Sequence, residues 1–326
     1  MVQRGMSREA WPVMLTPFDD DRRIDWSAVD CLTDWYIASG MSGLFAVCQS
    51  SEMFDLTDDE RLALAARVVQ GAGGRVPVVA TGTFGGPARD QAAFVRKMAD
   101  VGVEAVVCLV NQFAAKDESD DRWKSNMETL LKETGDLRLG LYECPKPYHR
   151  LMSADLLAWA ASTGRFVFMK ETSSRLERIK EKIAATRGSP LRFLNANTRT
   201  LLASLRAGAD GFCGTAANFY PDLMAWLCRH FDDQPELAER LQRFLTIAQP
   251  LLKVNYPASA KLYLTMNGLK IGGACRVRES QFSEEETAGL TALCEEAEQW
   301  RALLRLPAGA ASEAAASRFH RTTVSA

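Results

Sequence analysis

Residues 165–174 read RFVFMKETSS and place a lysine directly after a strongly apolar run. Four apolar residues, 166–169, lead into Lys170 with no polar residue between them. A short continuous apolar run is typical of a strand that is covered on both faces, as in parallel sheets. Because side chains alternate along a strand, Lys170 shares one face with Phe168 and Phe166. The stretch therefore predicts a buried strand that carries an amine at its carboxyl end.

Seven further apolar runs of this kind alternate with amphipathic helical stretches along the chain. The eight runs span residues 11–15, 43–47, 76–80, 104–110, 138–143, 165–169, 191–194 and 211–214. The helical stretches lie near residues 26–39, 58–71, 87–101, 120–134, 153–163, 175–187, 197–207 and 219–230. Such alternation predicts βαβ crossovers and a parallel sheet.

Eight such units predict an α/β protein of the (β/α)8 TIM-barrel class. The alternative is an open, doubly wound sheet, which usually carries a glycine-rich phosphate turn after its first strand. Here the first strand runs into Thr16-Pro17-Phe18-Asp19 without that motif, which favours the barrel. Active sites of such barrels lie at the carboxyl ends of the strands, and Lys170 falls at one of these ends.

The chain changes character near residue 234, where the alternation of strands and helices stops. The segments beyond it have helical periodicity, which predicts a C-terminal helical domain. The tail is small and polar, a composition that predicts disorder. The predicted organisation is a flexible N-terminus at 1–9, a barrel with the active site at 10–233, a helical domain at 234–306 and a disordered tail at 307–326.

Composition argues against several classes of protein. The net charge is −2, from 39 basic and 41 acidic residues, and no basic stripe suggests a nucleic-acid partner. No apolar stretch approaches the roughly 20 residues that a membrane span needs, so we expect no membrane association. The eight cysteines include no C-x-x-C pair, and the three histidines are scattered. We therefore expect no metal site and a reduced, cytoplasmic protein.

A lysine amine at the carboxyl end of a barrel strand can act as a nucleophile. Desolvation disfavours the charged ammonium, and a neutral lysine can attack a carbonyl and form a Schiff base. The structural alternative is that Lys170 reaches solvent or pairs with Glu171. Tyr142 ends the preceding strand and could pass a proton to the reacting carbon centre. Its structural alternative is a core tyrosine bonded to a backbone carbonyl.

A polar turn, Gln49-Ser50-Ser51, follows the second strand. Backbone N–H groups and hydroxyls in such a turn can hold a carboxylate. The alternative is an ordinary strand-to-helix loop in which Glu52 orients the backbone.

These stretches together resemble the dihydrodipicolinate synthase / N-acetylneuraminate lyase family of class I aldolases. The resemblance covers nearly all of residues 10–300, and its motifs occur in the family's order. They are TPFD (16–19), VCQSSEMFDLTDDER (47–61), VPVVATGTFG (76–85), LYECP (141–145), FVFMKETSS (166–174), GADGFCGTAANFYP (208–221) and YPASAKLYLTMNGL (256–269).

The resemblance implies a (β/α)8 barrel with a C-terminal helical domain and a lyase that acts on a 2-oxo acid, such as pyruvate or a pyruvoyl-containing product. Lys170 would carry the substrate as a covalent imine, with no metal or organic cofactor, and Tyr142 would carry the proton. The residues implied to bind the substrate are Gln49, Ser50, Ser51, Thr172, Cys213 and Asn195. Family members are generally dimers of dimers, so we expect a homotetramer or a homodimer.

Four departures from the family pattern leave the reaction open. Gln49 stands where a relay hydroxyl is usual, and Phe113-Ala114 stand where synthases carry paired tyrosines. Pro147 occupies the place of an arginine that holds the second substrate's carboxylate, and Asn195-Ala196-Asn197 end the seventh strand in place of Gly-Asp-Asp/Glu.

Three alternatives to the aldolase remain at this point. One is dihydrodipicolinate synthesis proper, from pyruvate and aspartate semialdehyde. Another is a barrel that binds a 2-oxo acid without catalysis. The third, a barrel enzyme for a phosphorylated substrate, has less support because the loop at 214–218 contains few glycines.

Overall fold

The computed structural model describes residues 8–277 and 281–307, which form a barrel of eight parallel strands followed by helices. The strands are β1 Glu9–Pro12, β2 Leu44–Ala46, β3 Val78–Thr81, β4 Ala105–Leu109, β5 Leu139–Tyr142, β6 Phe166–Glu171, β7 Arg192–Asn195 and β8 Gly211–Gly214. The helices around them are α1 Trp26–Ala38, α2 Asp58–Ala72, α3 Ala88–Asp100, α4 Asp120–Glu133, α5 Ala154–Ser162, α6 Leu176–Thr186, α7 Leu201–Ala207 and α8 Pro221–His230.

The sheet closes on itself. Its strands are hydrogen-bonded in the order β1-β8-β7-β6-β5-β4-β3-β2. Between β1 and β2 the ring is completed by a parallel bridge from Val13 to Phe45, and the Met14 N–H donates to the Phe45 carbonyl at 3.0 Å. The predicted (β/α)8 barrel is therefore confirmed.

The first strand begins earlier than expected. Glu9, predicted to lie in a flexible N-terminus, is the first residue of β1. Its N–H donates to the Asp210 carbonyl at 2.8 Å, and its carboxylate accepts the Trp11 indole N–H at 2.7 Å. These two bonds extend the sheet to Glu9. Residues 1–7 lie outside the described residues.

Three helices follow the barrel, namely α9 Pro235–Leu252, α10 Ala258–Met266 and α11 Glu284–Leu304. Ion pairs from buried cationic side chains fasten them to the barrel, with Lys261 of α10 2.8 Å from Glu52 and Arg301 of α11 2.6 Å from Asp222. The predicted boundary at 233/234 falls in the turn between α8 and α9, and the domain limits remain predictions. Of the tail predicted at 307–326, only Pro307 lies within the described residues.

A layer of aromatic side chains fills the barrel interior. Phe168 contacts Trp11 and Phe45 edge to face, with ring centroids 5.4 and 5.5 Å apart, and Phe45 contacts Tyr142 in the same way at 5.8 Å. Edge-to-face pairs at these separations are favourable beyond the area that they bury. The layer supports the strand ends where Lys170 lies.

Gly43→Ala should destabilise the barrel. The added Cβ would lie 2.3 Å from the ring of Trp11, which is fully buried in the aromatic layer. Overpacking of a core of this kind costs about 1–3 kcal/mol of the free energy of unfolding, which chemical denaturation would measure. Gly273→Ala is the matched control, because its added Cβ has no atom within 4 Å. Equal losses in the two variants would contradict this account of the core.

Candidate active site

The Lys170 side chain is almost completely buried at the carboxyl end of β6. The residue is 5% exposed. Its Nζ is 4.0 Å from the centroid of the Tyr142 ring and 5.8 Å from that of Phe45. Tyr142 of β5 is the register partner of Lys170, which brings amine and phenol together. Among the described residues no carboxylate forms an ion pair with this amine.

Glu171 does not neutralise Lys170, because it points to the other face of the strand. There its carboxylate lies 3.1 Å from Lys182 Nζ, and the same amine is 2.5 Å from the carboxylate of Glu143. All three side chains are almost completely buried. The alternative in which Lys170 pairs with Glu171 therefore does not hold.

In the turn after β2, some polar groups face the site and others form hydrogen bonds with the neighbouring backbone. The Ser51 hydroxyl donates to the Met14 carbonyl at 2.6 Å and accepts the Cys48 N–H at 3.0 Å. The Ser51 N–H donates to the Cys48 carbonyl at 2.9 Å. Gln49 is turned toward Tyr142, with its amide oxygen 3.5 Å from the phenol oxygen. Ser51 thus shapes the turn, whereas Gln49 faces the site.

Ser50 is joined to a residue that the sequence did not predict for the site. The hydroxyl of Tyr256, just before α10, donates to Ser50 Oγ at 2.7 Å and accepts from Asn218 Nδ2 at 2.6 Å. Asn218 also accepts the Tyr36 hydroxyl at 2.6 Å. The C-terminal helices therefore contribute directly to this part of the barrel top.

A cavity of about 770 Å³ opens at this end of the barrel, and Tyr142, Gln49, Ser50 and Tyr256 line it. The lining also includes Phe54, Phe84, Gln112, Lys146, Pro147 and Val277. Lys170 is not among the lining residues, but its Nζ lies 4.0 Å from the centroid of the Tyr142 ring, which is. The volume suits a small molecule.

The sequence profile of the Dihydrodipicolinate synthetase family matches residues 6–297. The chain belongs to this family. Its members are lyases of the aldolase type, and the resemblance drawn from the motifs is confirmed.

Curated relatives in the family are similar along most of their length. The 4-hydroxy-tetrahydrodipicolinate synthase of Gluconacetobacter diazotrophicus is 26% identical over 287 residues, covering 87% of this chain and 95% of that protein. The enzyme of the same name from Bacillus subtilis is 27% identical over 286 residues, covering 87% and 97%.

Solved structures share the fold. YagE, a prophage protein of the dihydrodipicolinic acid synthase family from E. coli K12 in complex with pyruvate, superposes with a TM-score of 0.81 at 20% identity, covering 90% of this chain and 99% of that one. A dihydrodipicolinate synthase from Acinetobacter baumannii, also complexed with pyruvate, gives a TM-score of 0.79 at 21% identity, covering 90% and 99%.

The remaining predicted site residues are Cys213, Thr172 and Asn195, and their surroundings differ. Cys213 is fully buried in β8, and burial raises the pKa of its thiol to about 12, while the charge of nearby Lys170 opposes the rise. The Thr172 hydroxyl donates to the Glu143 carbonyl at 2.7 Å. The amide of Asn195 donates to two hydroxyls near α7, at 3.0 and 2.9 Å, so the structure places it against that helix rather than in the cavity.

The segments that depart from the family pattern after β4 and β5 pack together at the carboxyl ends of these neighbouring strands. Phe113 is buried and packs edge to face on Trp123, with centroids 5.9 Å apart. The Asn111 amide nitrogen lies 2.7–2.8 Å from the carbonyl oxygens of Cys144, Lys146 and Tyr148, which share its two hydrogens, and so fixes the loop after β5. That loop brings Lys146 and Pro147 to the cavity in place of the family's arginine.

A buried cluster of charged side chains lies behind the ends of β5 and β6. Glu143, which follows Tyr142, is buried and bonded to Lys182. Burial raises the pKa of the Glu143 carboxyl, and the Lys182 charge opposes that rise. The Glu143 carboxylate also accepts the N–H groups of Met152 and Thr172 at 2.8 and 3.0 Å. The Glu143–Lys182–Glu171 cluster thus ties the ends of β5 and β6 together behind Tyr142 and Lys170.

Two kinds of feature are not found in the part of the chain that the structure describes. Within residues 8–277 and 281–307, no three His, Cys, Asp or Glu side chains are grouped so that they could hold a metal ion. Among the helices of those residues, none combines the length and the apolar character that crossing a lipid bilayer requires.

Lys182→Met should destabilise the fold strongly, because it leaves two buried carboxylates without their cation. Removing one partner of a buried ion pair costs about 3–5 kcal/mol of the free energy of unfolding, to be measured by chemical denaturation. The matched control is Lys180→Met on the same helix, whose pair with Glu177 is exposed and contributes about 0.5 kcal/mol or less. Similar small losses in both variants would refute a structural role for the cluster.

Proposed function

We propose that this chain is a class I aldolase-type lyase that binds a 2-oxo acid, such as pyruvate or a pyruvoyl-containing product, as an imine on Lys170. The observation that carries the proposal is the amine of Lys170, a residue that is 5% exposed, which has no carboxylate partner among the described residues and lies 4.0 Å from the centroid of the Tyr142 ring. A lysine in apolar surroundings is a suitable nucleophile for a carbonyl carbon. The family relationship supports the lyase class, and the solved relatives in complex with pyruvate support this type of substrate.

The proposed reaction begins when Lys170 Nζ attacks the keto carbon and forms a carbinolamine. Loss of water then gives the protonated imine, which accepts the electron pair released at the adjacent carbon. Formation or cleavage of a carbon–carbon bond, or loss of water, follows at that position. Because the imine is itself the electron sink, this chemistry requires neither a metal ion nor an organic cofactor.

Tyr142 is proposed to supply the proton with which the carbinolamine hydroxyl leaves as water. Burial raises the pKa of its phenol well above the usual range, so the hydroxyl remains a proton donor at neutral pH. Gln49 lies 3.5 Å from that hydroxyl and can accept a hydrogen bond from it. An amide cannot pass the proton onward as a hydroxyl can, so Gln49 would orient the phenol.

The substrate carboxylate is proposed to bind at the turn after β2, on the side of Ser50. Ser50 lines the cavity, whereas the Ser51 hydroxyl is committed to Met14.

We also propose that the chain is cytoplasmic and assembles as a homotetramer or homodimer, as is general in the family.

Two alternative functions are to be distinguished from the proposed aldolase. Dihydrodipicolinate synthesis proper is not favoured, because Pro147 lines the cavity where a bidentate arginine would hold the second carboxylate. Turnover of pyruvate with aspartate semialdehyde at the rate of a working synthase would restore it. A binding protein without catalysis is suggested by Gln49, and 2-oxo acid binding that survives Lys170→Ala without turnover would favour it.

Borohydride reduction in the presence of pyruvate should attach a reduced adduct to Lys170. Peptide mapping by mass spectrometry would locate it, and we expect Lys146, a lysine that lines the cavity, to remain unmodified. Lys170→Ala is the control and should abolish the adduct. Failure to trap any member of a panel of 2-oxo acids would rule out the proposed chemistry.

A further inference from the structure

Tyr256 occupies the junction between the barrel and the C-terminal helices. It lies between the end of α9 at Leu252 and the start of α10 at Ala258. Its phenol lines the cavity beside Ser50, although the two residues are 206 positions apart in the chain. The ring also faces Phe219, with centroids 6.5 Å apart.

The hydrogen bonds at Tyr256 have only one consistent direction. The Val13 carbonyl can only accept, so the Asn218 atom 2.8 Å from it must be the amide nitrogen. The same nitrogen faces the Tyr256 hydroxyl at 2.6 Å and donates to it. The Asn218 amide oxygen is left to accept the Tyr36 hydroxyl, at 2.6 Å.

This direction determines where the hydrogen of Ser50 points. The Tyr256 oxygen accepts from Asn218, and among the described residues Ser50 Oγ, at 2.7 Å, is the acceptor that its own hydrogen reaches. A serine hydroxyl has one hydrogen, and that hydrogen cannot also lie between Ser50 and Tyr256. Burial raises the pKa of the Tyr256 phenol above its usual range, so the phenol remains a donor. Among the described residues no acceptor is paired with the Ser50 hydrogen, which leaves it available to a ligand in the cavity.

We propose that Tyr256 is a positioning residue that orients the Ser50 hydroxyl to donate to the substrate carboxylate, and so makes the site selective for a 2-oxo acid anion over a neutral ketone. The proposal rests on the proposed function, since it assigns a role within the same substrate site. Asn218 and Tyr36 fix the polarity of the chain of hydrogen bonds. Both residues belong to the same chain. Ser50 lies in the barrel, and Tyr256 lies in the segment before α10.

Tyr256→Phe in the full-length protein keeps the ring against Phe219 and removes only the hydroxyl. Without that donor, the Ser50 hydroxyl can turn toward other acceptors and is no longer directed at the ligand. A hydrogen bond to a charged acceptor corresponds to about a 10-fold to 100-fold change in affinity. We expect the pyruvate concentration for half-maximal borohydride trapping at Lys170 to rise by that factor. The trapping rate at saturation should change by less than about threefold.

The control ligand is methyl pyruvate, which keeps the ketone and lacks the carboxylate charge. Tyr256→Phe should leave its trapping nearly unchanged, so that the variant loses the preference for the anion. Tyr220→Phe is the matched control variant, because Tyr220 is a buried tyrosine whose hydroxyl has no hydrogen-bond partner among the described residues. It should behave as the unmodified protein with both ligands.

Ser50→Ala provides an independent test in case Tyr256→Phe fails to fold. It should lose the same preference for pyruvate over methyl pyruvate. The double variant should be no worse than either single variant, because the two residues act as one unit. Retained preference in Ser50→Ala, or equal weakening for both ligands in Tyr256→Phe, would overturn the inference. Absence of any adduct in the unmodified protein would instead count against the proposed function.

Discussion

The contact on which the site depends is that of the Lys170 amine with the face of the Tyr142 ring, 4.0 Å from its centroid. The parallel register of β5 and β6 sets this contact, because the two residues are direct partners across neighbouring strands. The aromatic layer packs against this contact, with the Phe45 ring edge to face on Tyr142. Behind them, Lys182 binds the carboxylates that follow each of the two residues.

The two faces of β6 differ in whether their charged side chain has a partner of opposite charge. On the outer face, Glu171 is neutralised by Lys182 in a buried cluster. On the inner face, Lys170 is left without a carboxylate among the described residues. Buried charges are normally paired, so a buried amine without a carboxylate partner at the carboxyl end of a barrel strand supports the proposed role of Lys170. The membership of the chain in the Dihydrodipicolinate synthetase family agrees with this interpretation.

Local patterns in the sequence were sufficient for the barrel and for the pairing of Lys170 with Tyr142. Apolar runs identify strands because each must bury both faces, and strand order then places residues 142 and 170 side by side. Asn195, which the family resemblance had assigned to the substrate, is the register partner of Glu171 and bonds to hydroxyls near α7. The start of β1 was placed two residues late because Glu9 is polar and its strand bonds involve distant backbone.

Contacts between distant segments could not be predicted in this way. Tyr256 approaches Ser50 only because α10 docks on the barrel, and Lys182 is an apparently ordinary helix lysine until α6 is packed against β5 and β6. Both contacts depend on tertiary packing, for which a single sequence has no periodic signal.

The central claim is that Lys170 is the residue that captures the substrate, and a crystal structure of the protein soaked in pyruvate tests it most directly. We predict continuous density from Lys170 Nζ to the keto carbon, with the carboxylate against Ser50 and the Tyr142 hydroxyl near the new bond. Pyruvate bound elsewhere in the cavity, or held beside an unmodified Lys170 at saturating concentration, would contradict the account.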